Sequence, residues 1–381
     1  MSQGMAKAKE IYKNRGKRAR ELKEEGKKII GYFCCYPPVE LMTALDLVPY
    51  RILGSAREPL TRVDTYLETI MCPFIRSCFD LALKGNFDFL DGFVMPHACD
   101  NTEKTYEIWK YNFKPAYAHL INVPHMTNPT SSEFFKKELE RFQMSLEKLA
   151  GKKTSPQSLA KAIQLHNENR ALLREIYQFR KPNPPLISGV EVIQLLVAGM
   201  CIPAKEYNEL LREVIVEVQG QVGQPRGKEA RIMVYGSELD DIAFIELIEG
   251  YGAKVVIDDL CTTTRYFWHD VPIGNDPLED LAERYLKKIY CPRTYRRREG
   301  TRQEDLDNRY GYLKEYAEEF GVDGVIMYII RFCDTHEFDV PDIKEYLLSL
   351  GLPVLHIEDD YKVSNVGQLK TRIEAFLEII S

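Results

Sequence analysis

Residues 324–357 read GVIMYIIRFCDTHEFDVPDIKEYLLSLGLPVLHI, and this stretch indicates how the chain folds. The uninterrupted apolar run at 324–330 predicts a buried strand. Helical periodicity follows at 341–350, and a second short apolar run follows at 353–357. A strand, a helix and a strand in this order predict parallel pairing of the two strands, with the helix covering one face of the sheet.

The same alternation continues outward from this stretch through most of the chain. Short apolar runs predict strands near 28–33, 48–53, 87–95, 116–123, 231–235, 254–258, 324–330 and 353–357. Helical periodicity between them predicts helices such as 65–84, 101–111, 239–250, 278–287, 303–320 and 341–350. The predicted fold class is therefore α/β, with parallel sheets covered by helices on both faces.

The predicted strands fall into two groups separated by a long helical stretch. That stretch covers 131–219 and is interrupted by the proline-rich segment KPNPP at 181–185, which predicts a corner. Residues 220–229 are rich in glycine and charge, and they predict a loop before the second group. We expect an N-terminal α/β lobe at 1–130, a helical connector at 131–229 and a C-terminal α/β lobe at 230–381.

Composition and charge exclude several classes of protein. With 381 residues, 45% of them hydrophobic, the chain can bury a large core, which excludes disorder. Its 51 basic and 57 acidic residues give a net charge of −6, so it offers no overall basic character for nucleic acid. The sequence lacks a run of about 18 apolar residues and the apolar segment of a signal peptide. We therefore expect a cytoplasmic protein with neither a nucleic-acid nor a membrane partner.

The nine cysteines are the most informative residues. Their odd number argues against a disulfide framework in a reducing compartment, and the absence of any C-x-x-C pair argues against a zinc finger. Four of them come just after a predicted strand: Cys34, Cys99, Cys261 and Cys333. Open α/β sheets build ligand sites at the carboxyl ends of their strands, so these thiols can converge if the two lobes face each other. Cys78 and Cys201 are interpreted as core residues.

Other motifs are less specific. Residues 151–154 (GKKT) lack the upstream glycine of a phosphate loop, which argues against ATP binding. The basic run at 293–298 (RTYRRR) is either a phosphate-binding cluster or a solvated face, and the solvated face is the favoured interpretation. His97, His336 and His356 lie at predicted strand ends, where they are candidate proton donors.

Several segments together resemble a known family. They are MCPFIRS at 71–77, LDG at 90–92 with HACD at 97–100, DDLCT at 258–262, RFCD at 331–334 and PVLHIEDDY at 353–361. In this order they are similar to the benzoyl-CoA reductase and 2-hydroxyacyl-CoA dehydratase family, specifically to its smaller iron–sulfur subunit. The resemblance covers nearly the whole chain.

The resemblance implies two flavodoxin-like (Rossmann-like) lobes and a 4Fe–4S cluster. The positions that match the family's cluster ligands are Cys72, Cys99 and Cys333. Three thiolates leave one iron open to a substrate or water. The resemblance also implies a homologous larger subunit, an ATP-hydrolysing iron–sulfur activator that supplies low-potential electrons, and a CoA thioester that is reduced to a ketyl radical anion. His97 and His336, close to Cys99 and Cys333, are the expected proton donors.

The family contains more than one activity. Aromatic residues at 32–36 and 265–268 would suit a flat ring, so the leading hypothesis is a benzoyl-CoA reductase subunit; packing in the core is the other interpretation of these residues. A 2-hydroxyacyl-CoA dehydratase subunit is the alternative, and an electron-relay subunit or a double-cubane-cluster reductase is a further one. Double-cubane relatives are expected to have a further cysteine at the position of Ser237, so this serine argues against a double-cubane-cluster reductase. Cys34, Cys35, Cys261 and Cys291 remain available for it.

Overall fold

The computed structural model describes residues 3–220, 229–296 and 298–380. The first part of the chain forms α1 (Gln3–Lys13), α2 (Lys17–Glu24), β1 (Ile29–Tyr32), α3 (Val39–Thr43), β2 (Val48–Arg51), α4 (Pro73–Leu83), β3 (Gly92–Pro96), α5 (Asp100–Phe113) and β4 (Tyr117–Ile121), with a 3₁₀ turn at Val63–Thr65. Four helices follow: α6 (Pro129–Ala150), α7 (Pro156–Gln178), α8 (Gly189–Gly199) and α9 (Ala204–Gln219).

The remaining elements form the second lobe. They are β5 (Ala230–Gly236), α10 (Ala243–Gly250), β6 (Ala253–Asp259), α11 (Thr264–Phe267), α12 (Pro277–Ala282), a π-helical turn (Glu283–Lys287), α13 (Arg302–Phe320), β7 (Gly324–Ile330), α14 (Asp334–Glu337), α15 (Val340–Ser349), β8 (Val354–Asp359), a 3₁₀ turn (Val363–Asn365) and α16 (Val366–Ile380). Among the described residues, none of the helices combines the length and the apolar character needed to cross a membrane.

The strands form two four-stranded parallel sheets of the same topology. The first sheet has the order β2-β1-β3-β4, and the second has the order β6-β5-β7-β8. Each sheet therefore repeats the flavodoxin-like order, in which the first and third strands lie side by side at the centre. This confirms the predicted α/β fold with two flavodoxin-like lobes.

The central strands of the second lobe explain why 324–330 is apolar throughout. All seven residues of β7 are buried, because β7 lies between β5 and β8 and helices cover both faces of the sheet. One face contacts α13 and α15, and the other contacts α10 and α16. A strand buried on both faces has no position for a charged side chain.

Helix α1 packs away from the first sheet. It contacts α8 and α9 of the helical stretch, and Met5 and Ala8 share a buried cluster with Met233 of β5 and Met327 of β7. At the start of α1, the backbone N–H groups of Gly4 and Met5 donate to the Glu217 carboxylate of α9. The division at 130 and 229 stays a prediction, and residues 221–228 of the predicted loop lie outside the described residues.

The predicted start of the helix at 65–84 is wrong. The helix predicted at 65–84 begins at Pro73, and the residues before it form the 3₁₀ turn and an irregular segment. Proline is favoured at the first position of a helix, because its missing N–H has no intrahelical partner there. Cys72 is consequently the N-cap of α4 rather than a residue within a helix.

A candidate metal centre between the two lobes

The three cysteines that match the family's ligands occupy equivalent local positions. Cys72 is the N-cap of α4, Cys99 is the N-cap of α5 and Cys333 is the N-cap of the short α14. Cys99 follows β3, and Cys333 follows β7, the matching strand of the second sheet. Both strands lie where the connections of a flavodoxin-like sheet change direction, which is the usual place of a ligand site in such folds.

Hydrogen bonds join Cys72 and Cys99 into one unit. The backbone N–H of Cys72 donates to Asn101 Oδ1 at 3.0 Å, which ties the start of α4 to the start of α5. The backbone N–H of Cys99 donates to Thr102 Oγ1 at 3.1 Å, and the Thr102 hydroxyl donates back to the Cys99 carbonyl at 2.7 Å. The first lobe therefore fixes two of the three thiols through the first turn of α5.

The second lobe supplies Cys333 from a tight turn. Phe332, just before it, has a φ of 62°, and its N–H donates to Glu337 Oε1 at 2.9 Å. Positive φ is unusual for a residue with a side chain, and here the carboxylate holds the backbone in that conformation. The turn directs Cys333 Sγ to within 3.2 Å of His336 Nδ1.

The three thiols lie close enough to affect one another's ionisation. Burial, with a contribution from Cys99, raises the pKa of Cys72 to about 12. Burial raises the pKa of Cys333 well above its usual value, and Cys72 and Cys99 raise it further. Burial also raises the pKa of Cys99. Without a cation, these thiols keep their protons at neutral pH, so binding of a metal there would displace protons.

The thiols are not grouped closely enough to bind one ion together. In the part of the chain that the structure describes, no three cysteine sulfurs lie all within 4.8 Å of one another. A tetrahedral zinc ion, with bonds of about 2.3 Å to sulfur, would bring its thiolates to about 3.8 Å apart. An iron–sulfur cluster binds its thiolates on separate iron atoms, and thiolates are its usual ligands. The donor set at Cys72, Cys99 and Cys333 thus fits a 4Fe–4S cluster.

Four further thiols lie in the same region. Cys34 and Cys35 follow β1, with sulfurs 4.0 Å apart; Cys261 follows β6, and Cys291 follows the π-helical turn. Burial raises the pKa of Cys261 well above its usual value, with contributions from Cys291 and Cys34. Cys34 differs from the others, because the Cys35 thiol hydrogen-bonds to it and lowers its pKa to about 7. Seven of the nine cysteines therefore gather between the lobes, more than the resemblance requires.

The remaining two cysteines are core residues, as predicted. Cys78 is completely buried on α4, in the apolar cluster that includes Phe79. Cys201 is buried beside Tyr50 in a smaller apolar cluster.

The three histidines have different environments. His336 is buried, with Nε2 2.8 Å from an Arg265 nitrogen, and burial lowers its pKa well below its usual value. His97 is partly exposed, and its Nε2 lies 3.5 Å from a Glu103 carboxylate oxygen. With Asp100 it forms the one described group of three side chains close enough to share a single ion. His356 Nε2 is buried without a hydrogen-bond partner in the structure. Proton donation by His97 and His336 stays a prediction.

The aromatic residues expected to suit a flat ring pack in the core. Tyr32, Phe33, Tyr36 and Phe267 are all buried. The Phe33 ring packs edge-on against Trp109 at 5.5 Å, and Phe267 contacts Tyr177 at 4.9 Å. They do not form the walls of an open slot, which favours the packing interpretation.

One further expectation about a motif changes with the structure. Arg293 is not on a solvated face: it is buried and donates to the backbone carbonyls of Val123, at 2.8 Å, and His97, at 3.2 Å. Arg297, in the same basic run, lies outside the described residues. Ser237, in the turn after β5, is buried and accepts a hydrogen bond from the Ile330 N–H at 2.9 Å.

The charged residues that join the lobes have no signal in the sequence. Arg51, at the end of β2, pairs with Glu238, after β5, and both side chains are buried. Arg15 pairs with Asp240 at 2.7 Å. Each pair joins residues about 190 or more positions apart, so only the folded chain brings them together.

A cleft of about 800 Å³ opens on the same side of the molecule as α4. Pro73 and Arg76 of α4 and residues 360–364 of the second lobe contribute to its walls, and none of the cysteines does.

Comparison with known proteins agrees with the resemblance. The (R)-phenyllactyl-CoA dehydratase beta subunit of Clostridium sporogenes is 27% identical over 364 residues, which cover 95% of this chain and 94% of that protein. One of the benzoyl-CoA reductase subunits of Thauera aromatica is 26% identical, with 92% and 90% covered. The putative dehydratase subunit YjiM of Escherichia coli (strain K12) is 29% identical, with 94% and 93% covered.

A family model described as 2-hydroxyglutaryl-CoA dehydratase, D-component, matches residues 34–380. The match includes all nine cysteines, the whole second sheet and every strand of the first sheet except β1. These findings confirm the prediction of an enzyme subunit of the dehydratase or reductase type: the chain belongs to the 2-hydroxyglutaryl-CoA dehydratase D-component family.

Proposed function

We propose that this chain is an iron–sulfur subunit that performs low-potential one-electron reduction of a CoA thioester, with Cys72, Cys99 and Cys333 holding a 4Fe–4S cluster. The observation that carries the proposal is that these three thiols, each at a helix N-cap and drawn from both lobes, lie close enough to raise one another's pKa. The cluster supplies single electrons when bound. The chain's own residues hold it and place two of its ligands at the starts of helices α4 and α5.

The helix starts support binding of a negatively charged cluster. The N-terminus of a helix carries a partial positive charge, and it lowers the free energy of a thiolate placed there. Cys72 and Cys99 precede helices of 11 and 14 residues, respectively. Burial acts in the opposite direction by raising the thiol pKa, so the iron itself must supply most of the stabilisation of the thiolates.

The proposed reaction is reduction of an aromatic CoA thioester, as the name of the Thauera relative suggests, and dehydration of a 2-hydroxyacyl-CoA is the alternative. The buried aromatic side chains do not favour one over the other. Ring reduction needs a proton donor at the ring, whereas dehydration needs an acid at the departing hydroxyl. His97, the more accessible of the two histidines close to the cysteines, is the proposed donor in either case.

Two partners belong to the proposal. We propose a homologous larger subunit as the partner of this chain. The names of two relatives support this, because they describe single subunits of larger enzymes. An ATP-hydrolysing activator, which the family resemblance implies, is proposed as the electron source. The lack of a phosphate loop at 151–154 agrees with ATP binding to a separate protein.

The four further thiols favour a second candidate function. Cys34, Cys35, Cys261 and Cys291 extend the thiol set beyond the needs of one cubane. Seven gathered thiols could hold a larger cluster, as in a double-cubane-cluster reductase, even though Ser237 occupies a position where a further cysteine is expected. An electron-relay role would need no substrate access, whereas Cys99 and Cys333 are partly exposed.

The experiment that separates these functions is anaerobic purification followed by metal analysis. One cubane predicts about four iron atoms per chain, and a double cubane predicts about eight. Zinc without iron would contradict both. The complex is then given its activator, ATP and dithionite, and offered benzoyl-CoA or a 2-hydroxyacyl-CoA. Dehydration without ring reduction would establish the alternative, and reactivity with neither thioester would favour the double-cubane or relay role.

A further inference from the structure

His336 lies beside Cys333 but is not the proton donor of the proposed reaction. His336 is 2% exposed, and both ring nitrogens have partners. Its Nδ1 lies 3.2 Å from Cys333 Sγ and 3.5 Å from Thr335 Oγ1. Its Nε2 lies 2.8 Å from Arg265 Nη1. The ring is therefore held between a cation and a thiol.

The arginine is fixed in place by acceptors. Arg265 Nη2 donates to Asp259 Oδ2 at 2.9 Å and to the Asp259 carbonyl at 3.0 Å. Its Nη1 donates to the Gly236 carbonyl at 2.6 Å and also lies 3.7 Å from Cys261 Sγ. The buried Asp259 is further held by the Tyr312 hydroxyl at 2.8 Å. Arg265 thus cannot turn away from His336 without losing several buried hydrogen bonds.

This arrangement determines the position of the proton on His336. A guanidinium has donors only and keeps its charge in proteins, so His336 Nε2 accepts in its contact with Arg265. The Gly236 carbonyl also lies near the ring, but it already accepts from Arg265 Nη1 at 2.6 Å. The neutral imidazole then carries its proton on Nδ1, the nitrogen that faces Cys333 Sγ. A thiolate at Cys333 accepts this hydrogen bond, and such charge-assisted bonds are stronger than neutral ones.

From this geometry we infer that His336 is a positioning residue that donates a permanent hydrogen bond to the sulfur of Cys333, with Arg265 selecting the required tautomer. The inference rests on the proposed iron–sulfur function. Hydrogen bonds to ligand sulfurs stabilise the more negative, reduced state and raise the reduction potential. In this role His336 keeps its proton throughout, which differs from the proton transfer predicted for it from the sequence.

The test compares reduction potentials, measured by EPR-monitored titration of the anaerobically purified protein with its partner. His336→Leu removes the donor, and we expect its potential to shift to a more negative value. His336→Asn keeps an amide N–H near the position of Nδ1, and we expect a potential close to that of the wild type. His119→Asn, on β4 against Phe142, is the control and should cause no shift.

Two outcomes would overturn the inference. One is an unchanged potential in His336→Leu. The other is an equal shift in His336→Leu and His336→Asn, because packing rather than the N–H donor would then be responsible.

A second measurement does not require iron. The wild-type chain is labelled with ¹⁵N-histidine and studied by NMR. The signal of His336 is the one that disappears in the His336→Asn variant. We expect this signal to show that the proton of the His336 ring is on Nδ1. A proton on Nε2 would overturn the inference. This result is obtained from the wild type, so it holds even if His336→Leu does not bind iron. An iron-free wild type with the Nδ1 proton would contradict the proposed function and leave the tautomer assignment standing.

Discussion

Arg51 and Glu238 form a buried ion pair that joins the two lobes, with 2.8 Å between a guanidinium nitrogen and a carboxylate oxygen. Arg51 ends β2 of the first sheet, and Glu238 follows β5 of the second. Arg51 also donates to the backbone carbonyl of Cys34, so the pair lies directly against the gathered thiols. If either Arg51 or Glu238 lost its partner, the remaining charge would be buried away from water.

Removing one member of this pair should therefore be costly. We expect Glu238→Gln to lower the free energy of unfolding by about 3–5 kcal/mol, because Arg51 is left buried without its counter-charge. The double variant Arg51→Met/Glu238→Leu should lose much less, since neither charge is then buried alone. Urea unfolding followed by circular dichroism measures both values. Equal losses in the single and double variants would show that the pair itself is not responsible.

Single cysteine variants should separate ligands from core residues. Cys72→Ala, Cys99→Ala and Cys333→Ala should each lose the iron of the proposed cluster, whereas Cys78→Ala should keep it and lose about 1 kcal/mol of stability. Iron analysis after anaerobic purification provides the measurement. Cys261→Ala and Cys291→Ala extend the test: a reduction from about eight iron atoms to about four would identify them as ligands of a second cubane. Full iron content in Cys333→Ala would contradict the assignment.

Gly236 should not tolerate a side chain. An added Cβ there would lie 1.8 Å from the backbone carbonyl oxygen of Tyr328, which cannot move without disturbing β7. We expect Gly236→Ala to cost more than about 4 kcal/mol, measured by thermal or urea unfolding. Gly250→Ala is the matched control, because no atom lies within 4 Å of its added Cβ. At the end of α10 it should be neutral or stabilising by up to about 1 kcal/mol.

Buried His166 should make stability depend on pH. Burial lowers its pKa to about 4, from about 6.5 in an unfolded chain, and its Nε2 contacts the Thr43 hydroxyl at 2.9 Å. As the pH is lowered, His166 is therefore protonated in the unfolded chain before it is protonated in the folded chain. Its contribution to the free energy of unfolding is fully present above pH 6.5 and is lost as the pH decreases toward 4. The loss approaches about 1.4 kcal/mol per pH unit. Urea unfolding at pH 7, 6 and 5 should show this slope in the wild type and a shallower one in His166→Gln; identical slopes would contradict the prediction.

The sequence predicts the sheets well, because most strands centre on short apolar runs, and seven of the eight begin within two residues of the predicted start. The exception is β3, which begins at Gly92 rather than at 87. Phe87 and Phe89 are apolar because they pack around Tyr50 of β2, and not because they pair as a strand; Asp88 between them is exposed. An apolar run records burial, and burial does not distinguish a strand from a packed turn.

The site is only partly predictable from local sequence. Strand ends indicate Cys99 and Cys333, while Cys72 depends on the family resemblance, although Pro73 is a local signal that a helix begins there. The contact of Arg265 with His336 joins residues 71 positions apart, and that of Arg51 with Glu238 joins residues 187 apart. Neither has a local pattern, because each depends on how separate strands are arranged.

The packing of α1 has a consequence for how the protein is made. This helix leaves the ribosome well before its partners in α8 and α9, which are encoded some two hundred residues later and include Glu217, the acceptor for the Gly4 and Met5 amides. At 5–20 residues per second, the wait is about 10–40 s. During that time the apolar side chains of Met5 and Tyr12 lack their native partners, so nascent chains of this protein should bind a ribosome-associated chaperone until α9 has emerged.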